Sequence, residues 1–385
     1  MSVPESVVRA VAHLPAPCGV VDLAAFRANA QDLVRRAGGL PIRVASKSVR
    51  CRPLLEQVLE RPGFAGVMAY SLREAIWLAR HGQTEVLLAY PSVDRDAMAE
   101  LAAEPVLTSA ITVMVDHPGH VAVLASAADR ARPVRVCLEV DASLRVGPAH
   151  LGVRRSPVHT PDQAARAARR IAEVPGVRLV GLMFYDAQIA GLPDSSPAVR
   201  LVKRLSAREL LARRGAVVRA VRPYADLEIV NGGGTGSLHV TGRDPHLTEL
   251  AAGSGLYGPT LFDGYRDFSP EHAAYLVLPV VRRPAPDVAT CFSGGYIASG
   301  PPGWSRVPQP CHPEGLRLLR NEGAGEVQTP VSGEAARHLS IGDPVWFRHA
   351  KAGELCERLD EVHLVDDGEV VATVPTYRGE GMNFG

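Results

Sequence analysis

The chain has 385 residues, 46% hydrophobic and 22% charged, which suits one large globular domain or two ordinary ones and excludes disordered, collagen-like and small disulfide-scaffold classes. Its 42 basic and 41 acidic residues leave a formal net charge of +1, giving no field that gathers nucleic acid or an anionic membrane; a small-molecule partner fits better. Six cysteines (Cys18, Cys51, Cys137, Cys291, Cys311 and Cys356) lie far apart without CxxC pairing, the N-terminus has no secretory pattern, and no apolar run reaches membrane length. The expectation is a reducing, cytoplasmic protein.

In chain order, a Pro-containing N-terminal segment (1–19) is followed by an amphipathic stretch in which Leu23, Phe26, Ala30, Leu33 and Val34 recur at helical spacing. Asp22 caps its start, and Gly38 and Gly39 end it. Eight β-branched runs then alternate with helical segments: 41–45, 64–69, 85–89, 110–115, 134–140, 177–184, 227–230 and a short one within 250–256. A doubly wound open sheet is the competing architecture, and the strand count favours a (β/α)8 TIM barrel. After about residue 270 the texture becomes Pro-rich and strand-like, through YLVLPVVRRP, DVATCF, GEVQTPV, DPVWFRHA, EVHLVDD and EVVATVPTY. The expected organisation is an N-terminal segment (1–19) packing with the β-domain, a barrel over 20–270 and an all-β domain over 271–385. The Gly- and Pro-rich stretch 293–315 reads as one long loop.

Barrels place their reactive groups just past the C-terminal ends of the strands. Those positions are polar here: Ser46, Lys47 and Ser48, then Tyr70, Tyr90, Asp116, Asp141, Tyr185, Asn231, and finally Gly253 and Ser254. Lysine occurs only at Lys47, Lys203 and Lys351, so 39 of the 42 basic residues are arginine, and a lysine at a strand end stands out. A solvated surface charge is one reading of Lys47. The other is an amine that condenses with an aldehyde.

After the seventh strand comes Asn231-Gly232-Gly233-Gly234-Thr235-Gly236-Ser237, whose glycines let backbone NH groups approach an anion, with a hydroxyl alongside. A tight turn is the alternative, but it needs fewer glycines. Barrels build phosphate sites from the loops after strands seven and eight, and the eighth supplies Gly253-Ser254-Gly255. A lysine after strand one and a phosphate cup after strands seven and eight describe a pyridoxal phosphate (PLP) site.

These motifs resemble the fold-type III PLP enzymes, which carry the alanine racemase N-terminal-type barrel. The likeness is strongest to the amino acid deaminase/aldolase, D-threonine aldolase and D-serine dehydratase group. It runs over nearly the whole chain: Pro17 to Asn29, VASKSVR around Lys47, GLMFYDAQIAG (181–191), NGGGTGS (231–237), AGSGLYGPTLFD (252–263), GAGEVQTP (323–330) and FRHAKAGELCE (347–357). The resemblance implies that Lys47 carries the cofactor as a Schiff base and that Gly234, Thr235, Gly236, Gly253 and Ser254 hold its phosphate. It places Tyr185 against the pyridine face and Arg145 near the phenolic oxygen, a surface guanidinium being the alternative for Arg145. Racemases of this fold carry an arginine where this chain has Ala251-Ala252, so the pyridine nitrogen lacks that cation.

In the β-domain the resemblance implies a divalent metal, Zn or Mn, on His349 with Cys356 as a second ligand, although the family's usual spacing is shorter. Zn suits a His and thiolate pair and Mn suits oxygen ligands. Cys311-His312 is a rival pair, and Lys351 is either an acid or base or a solvated turn residue. The implied activity is a PLP-dependent, metal-assisted lyase acting on a β-hydroxy D-amino acid, by retro-aldol cleavage or by dehydration and deamination, with Lys47 and His349 catalytic. The alternatives are an amino acid racemase, with Tyr296 or Tyr377 as second base, and a PLP-homeostasis protein. The resemblance also implies a homodimer, the 271–385 domain of one subunit facing the partner's barrel mouth.

Overall fold

The computed structural model describes residues 3–385, so Met1 and Ser2 of the expected N-terminal segment lie outside the described residues. The chain separates into two compact units. One comprises the described residues up to Asp32, Ser48–Glu56 and Ser254–Asn383; the other comprises Leu33–Lys47, Gln57–Gly253 and Phe384–Gly385.

Strand β1 (Cys18–Asp22) belongs to the first unit. The helix Leu23–Ala37 follows it, started by Asp22, whose carboxylate accepts from Ala24 N and Ala25 N. Gly38 and Gly39 end that helix in the left-handed region, at φ 65° and 98°.

The barrel unit is built from β2 (Ile42–Ala45), β3 (Phe64–Ala69), β4 (Val86–Leu88), β5 (Ile111–Val115) and β6 (Val134–Glu139). A small antiparallel hairpin, β7 (Leu144–Val146) and β8 (Ala149–Leu151), interrupts the series before β9 (Val177–Phe184), β10 (Ile229–Gly232) and β11 (Glu249–Ala252). The eight parallel strands close in the order β10-β11-β2-β3-β4-β5-β6-β9, so the barrel expected from the strand count is the observed fold. The barrel strands are buried almost throughout, as a parallel sheet requires. Leu87, Met114, Cys137, Met183 and Ile229, one from each of five strands, pack together in the interior. Tyr90 and Tyr185 lie against that cluster.

In the first unit a nine-stranded sheet gathers β1 with β12 (Ala274–Ala285), β13 (Val288–Phe292), β14 (Gln309–His312), β15 (Arg317–Leu318), β16 (Gln328–Ser332), β17 (Pro344–Arg348), β18 (Glu361–Asp366) and β19 (Glu369–Pro375). β1 is central to it, antiparallel to β12 and parallel to β18. The helix Glu5–Ala10 buries Val7 in a cluster with Val3, Val11, Val20, Tyr275 and Trp346. Asn29 ties helix Leu23–Ala37 to its own unit, donating to Leu256 O and Glu271 O while accepting from Glu271 N.

The stretch 293–315 differs from the expected loop, because β14 lies inside it and pairs with β17. Pro310 is tolerated there because β14 pairs on that one side and is an edge strand. The eighth barrel strand is also shorter than expected. It ends at Ala252, and a 3-10 turn (Ser254–Leu256) takes over where Gly253 and Gly255 interrupt the apolar run.

Candidate active site

Lys47 sits in a single 3-10 turn (Ser46–Ser48) directly after β2, exposed at the C-terminal end of the barrel. Ser46 fixes that turn by donating to Met68 O at 3.0 Å. The Lys47 Nζ donates to the Tyr90 hydroxyl at 2.6 Å and lies 5.3 Å from that ring's centroid. Tyr90 follows β4 and is one of the polar strand-end residues, with nothing in its sequence context to set it apart from Tyr70 or Asp116.

Tyr185 follows β9. The Arg155 guanidinium carbon stands 4.5 Å from the Tyr185 ring centroid and 5.2 Å from that of Tyr90, so one cation covers both rings. Burial alone would push the Tyr90 phenol up; Lys47, by charge and hydrogen bond, and Arg155 together bring it below its ordinary value. Tyr185 moves the other way, because burial outweighs the same two cations. Arg155 in turn lies 3.6 Å from the Glu139 carboxylate at the end of β6. Burial, with Asp116 and Asp141 nearby, raises the Glu139 carboxyl to about 7 against the pull of Arg155.

The cup after β10 has the backbone the glycines predicted. Gly233 is left-handed at φ 83°, a conformation that L side chains rarely adopt. A Cβ at Gly234 would stand 2.8 Å from the Ala190 Cβ and 3.7 Å from the Tyr185 ring, so that backbone lies open beside Tyr185 only because it is glycine. The loop is held from beneath. The Asp186 carboxylate, fully buried, accepts from Ser237 Oγ at 3.0 Å and Thr241 Oγ1 at 2.6 Å, and Arg36 donates to Thr235 O at 2.6 Å. Burial raises the Asp186 carboxyl, although both hydroxyls and Arg214 pull it down. Asn231, which opens the motif, donates instead to Glu249, itself held by two 2.7 Å bonds from Arg43. Gly253 follows β11 in the same unit, and Ser254 is assigned to the other.

Because β10, β11 and β2 are neighbours in the barrel, the 231–237 loop, Gly253 and Lys47 follow three successive strands. The barrel unit thus brings together Lys47, Tyr185, Gly234, Thr235, Gly236 and Gly253, and adds Tyr90 and Arg155. Arg145 ion-pairs with Asp141, whose carboxylate also takes Ser143, and its side chain is 41% exposed. Arg155 escaped the sequence reading because one arginine among 39 carries no signal of its own.

His349 and Cys356 belong to the sheet-bearing unit. The His349 ring is buried, and neither nitrogen meets a hydrogen-bond partner in good geometry. Burial, followed by the charge of Arg348, lowers it to about 3, so the ring is neutral and keeps its lone pair. The Cys356 thiol is also buried and pushed up to about 12, with its sulfur 3.7 Å from the Tyr257 hydroxyl. Tyr257 connects the two regions, its ring 6.0 Å edge-on from His349. The rival pair is used in packing: the Cys311 thiol donates to Trp346 O, and His312 stands edge-on to the Trp346 ring. Among the described residues no three His, Cys, Asp or Glu side chains form a metal-sized cluster. Lys351 Nζ donates to Ser299 Oγ at 3.4 Å. No helix among the described residues is long and apolar enough to cross a membrane.

The chain is 26% identical over 286 residues to a D-threonine aldolase of Arthrobacter sp, covering 72% of this chain and 71% of that protein. It is 25% identical over 256 residues to a 3-hydroxy-D-aspartate aldolase of Paracoccus denitrificans (strain Pd 1222), covering 63% of this chain and 60% of that one. Its fold matches the crystal structure of a D-threonine aldolase from Filomicrobium marinum with a TM-score of 0.81, at 24% identity and 96% coverage of both chains. Residues 21–260, more than half of the chain, match the alanine racemase N-terminal domain family, and the chain belongs to that family.

Proposed function

We propose that this protein is a PLP-dependent lyase acting on β-hydroxy D-amino acids, which it cleaves to glycine and an aldehyde or converts to an α-keto acid and ammonia. The observation that carries this reading is the Lys47 amine, bonded to Tyr90, on the same barrel mouth as the glycine-opened cup beside Tyr185. The aldolase names of the curated relatives supply the reaction class.

The residues present fit pyridoxal 5'-phosphate. Lys47 offers the amine that anchors its aldehyde carbon. The open backbone from Gly234 to Gly236, with Thr235, Gly253 and Ser254, offers the phosphate cup, and Tyr185 offers a ring face for the pyridine. When bound, the cofactor supplies the electron sink for bond cleavage at Cα. The Lys47 Nζ donates to the Tyr90 hydroxyl, so a proton can pass between these two atoms without solvent. Arg155 fixes both tyrosine rings and keeps the Tyr90 phenol below its ordinary value. Asp186, through Ser237 and Thr241, keeps the cup from collapsing.

His349 fits a metal ligand, having a neutral ring and neither nitrogen in a hydrogen bond of good geometry, and Cys356 is its proposed companion for Zn. Mn would take its remaining ligands from oxygen donors. Either ion would supply a Lewis acid for the substrate's β-hydroxyl. Arg145 is proposed as a cofactor contact on the resemblance alone. We read the protein as cytoplasmic and homodimeric, which light scattering at micromolar concentration tests; a fully active monomer overturns the dimer.

A panel of D- and L-β-hydroxy amino acids, with products identified by mass spectrometry, tests the activity. The expected result is glycine plus aldehyde, or an α-keto acid, from D-enantiomers. Exchange and inversion at Cα without cleavage would establish a racemase instead.

A further inference from the structure

The eleven positions from Arg145 to Arg155 do more than cross from β6 to the next helix. With hairpin β7 and β8 they enclose a cavity of about 420 Å³ whose charged lining is Arg145, His150, Arg154 and Arg155, with no carboxylate. In a chain of net charge +1, three guanidinium groups around one cavity are a local concentration of positive charge.

The three arginines are unequally compensated. Arg145 is paired with Asp141. Arg155 lies 3.6 Å from Glu139, whose carboxyl at about 7 is only partly ionised near neutral pH. Arg154 is exposed and has no hydrogen bond or ion pair among the described residues. The cavity therefore holds at least one full positive charge without a protein counter-ion. Arg155 also joins it to the Lys47 site, because the same guanidinium covers Tyr185 and the Tyr90 ring that Lys47 engages.

We propose that this cavity is the side-chain subsite of the enzyme and that it takes an anionic side chain, making the preferred substrate a β-hydroxy amino acid with a second carboxylate. Guanidinium groups bind carboxylates through paired, charge-assisted hydrogen bonds, and a free arginine facing such a cavity is the group that supplies them. The inference rests on the amine of the substrate binding at Lys47, and it names what the other end of that substrate carries.

The test uses the PLP-loaded protein and two ligands that have an α-carboxylate and an amine but no β-hydroxyl. D-aspartate and D-alanine are titrated while the cofactor absorbance is followed. The expected result is half-saturation by D-aspartate at a concentration at least tenfold below that of D-alanine, with the preference collapsing in Arg154→Gln and partly restored in Arg154→Lys. Arg154 has no structural partner to lose, and circular dichroism confirms that both variants fold. Equal half-saturation in the parent protein, or loss of both ligands in proportion in Arg154→Gln, overturns the subsite. Cleavage assays separate this from the lyase reading. If D-threonine is turned over with a kcat/KM equal to or above that of 3-hydroxy-D-aspartate, the subsite fails and the lyase stands; a D-aspartate preference without cleavage of any β-hydroxy substrate does the reverse.

Discussion

The Lys47 amine and the Tyr90 hydroxyl stand 2.6 Å apart at the mouth of the barrel. The contact joins the turns after β2 and β4 across β3, so it depends on the side-by-side pairing of these three strands and not on adjacent sequence. Tyr90→Phe removes the hydroxyl while keeping the ring under Arg155. Turnover should fall on the order of 10- to 100-fold, with the cofactor still bound and the pH–rate profile changed in shape, because a proton-transfer partner is lost. An unaltered pH profile would show that Tyr90 only positions the lysine.

Borohydride reduction of the PLP-loaded protein should fix the cofactor to Lys47, read by peptide mapping. Lys203 is paired with Asp194 at 2.8 Å, and Lys351 lies on the other unit, donating to Ser299. A pyridoxyl group on either of these, with Lys47 unmodified, would defeat the assignment.

Much of this arrangement was legible in the sequence. β-Branched runs marked the eight barrel strands, and three lysines in a chain of 39 arginines singled out Lys47. Gly233 and Gly234 showed themselves because their backbone demands glycine, one by its positive φ and the other by the Ala190 side chain. Arg155 and Tyr90 did not, because their contacts with each other, Lys47 and Tyr185 join segments far apart in the sequence. The same reason hid β14, whose strand character is supplied by pairing with β17 and not by its own Gln-Pro-Cys-His residues. Arg145 stood out by its motif, while its guanidinium is committed to Asp141.

Glu139 gives a pH test with a definite sign. Its folded carboxyl lies at about 7, above its ordinary 4.5, so its contribution to stability is fully present below about pH 4.5 and is lost as pH rises through 7. Glu139→Gln should therefore match the parent protein near pH 4.5 to 5 less any change in packing, and gain stability relative to it by pH 8. The full shift corresponds to about 3 kcal/mol, an upper bound for the gain. Denaturant unfolding at both pH values measures it. A variant less stable than the parent by the same margin at both would show that folding leaves the Glu139 carboxyl at its ordinary value.

The Arg43 and Glu249 pair is buried in the barrel and also holds Asn231, at the start of the cup. Removing one partner strands a buried charge, so Glu249→Ala should destabilise the protein by about 3–5 kcal/mol. It should also loosen cofactor binding, because Asn231 loses its acceptor. Urea unfolding and PLP retention on a desalting column report the two effects; a loss under about 1 kcal/mol would mean that solvent reaches the pair.

His349 is the residue on which the metal-assisted reading depends. It is buried and neutral, with neither ring nitrogen in a hydrogen bond of good geometry, an arrangement that costs stability unless a ligand uses one of them. His349→Ala should lower the divalent metal content measured by elemental analysis and reduce cleavage on the order of two decades or more, the loss of a Lewis acid contributing several kcal/mol. The cofactor absorbance should persist, because Lys47 and the glycine cup belong to the barrel unit. Chelation of the parent protein should reproduce the loss, and added Zn or Mn should reverse it in the parent but not in His349→Ala. Cys356→Ser separates the two ions: it should weaken Zn retention more than Mn, since only Zn gains from a thiolate. Turnover unchanged after exhaustive chelation would remove the metal from the reaction and leave His349 as a buried packing residue beside Tyr257.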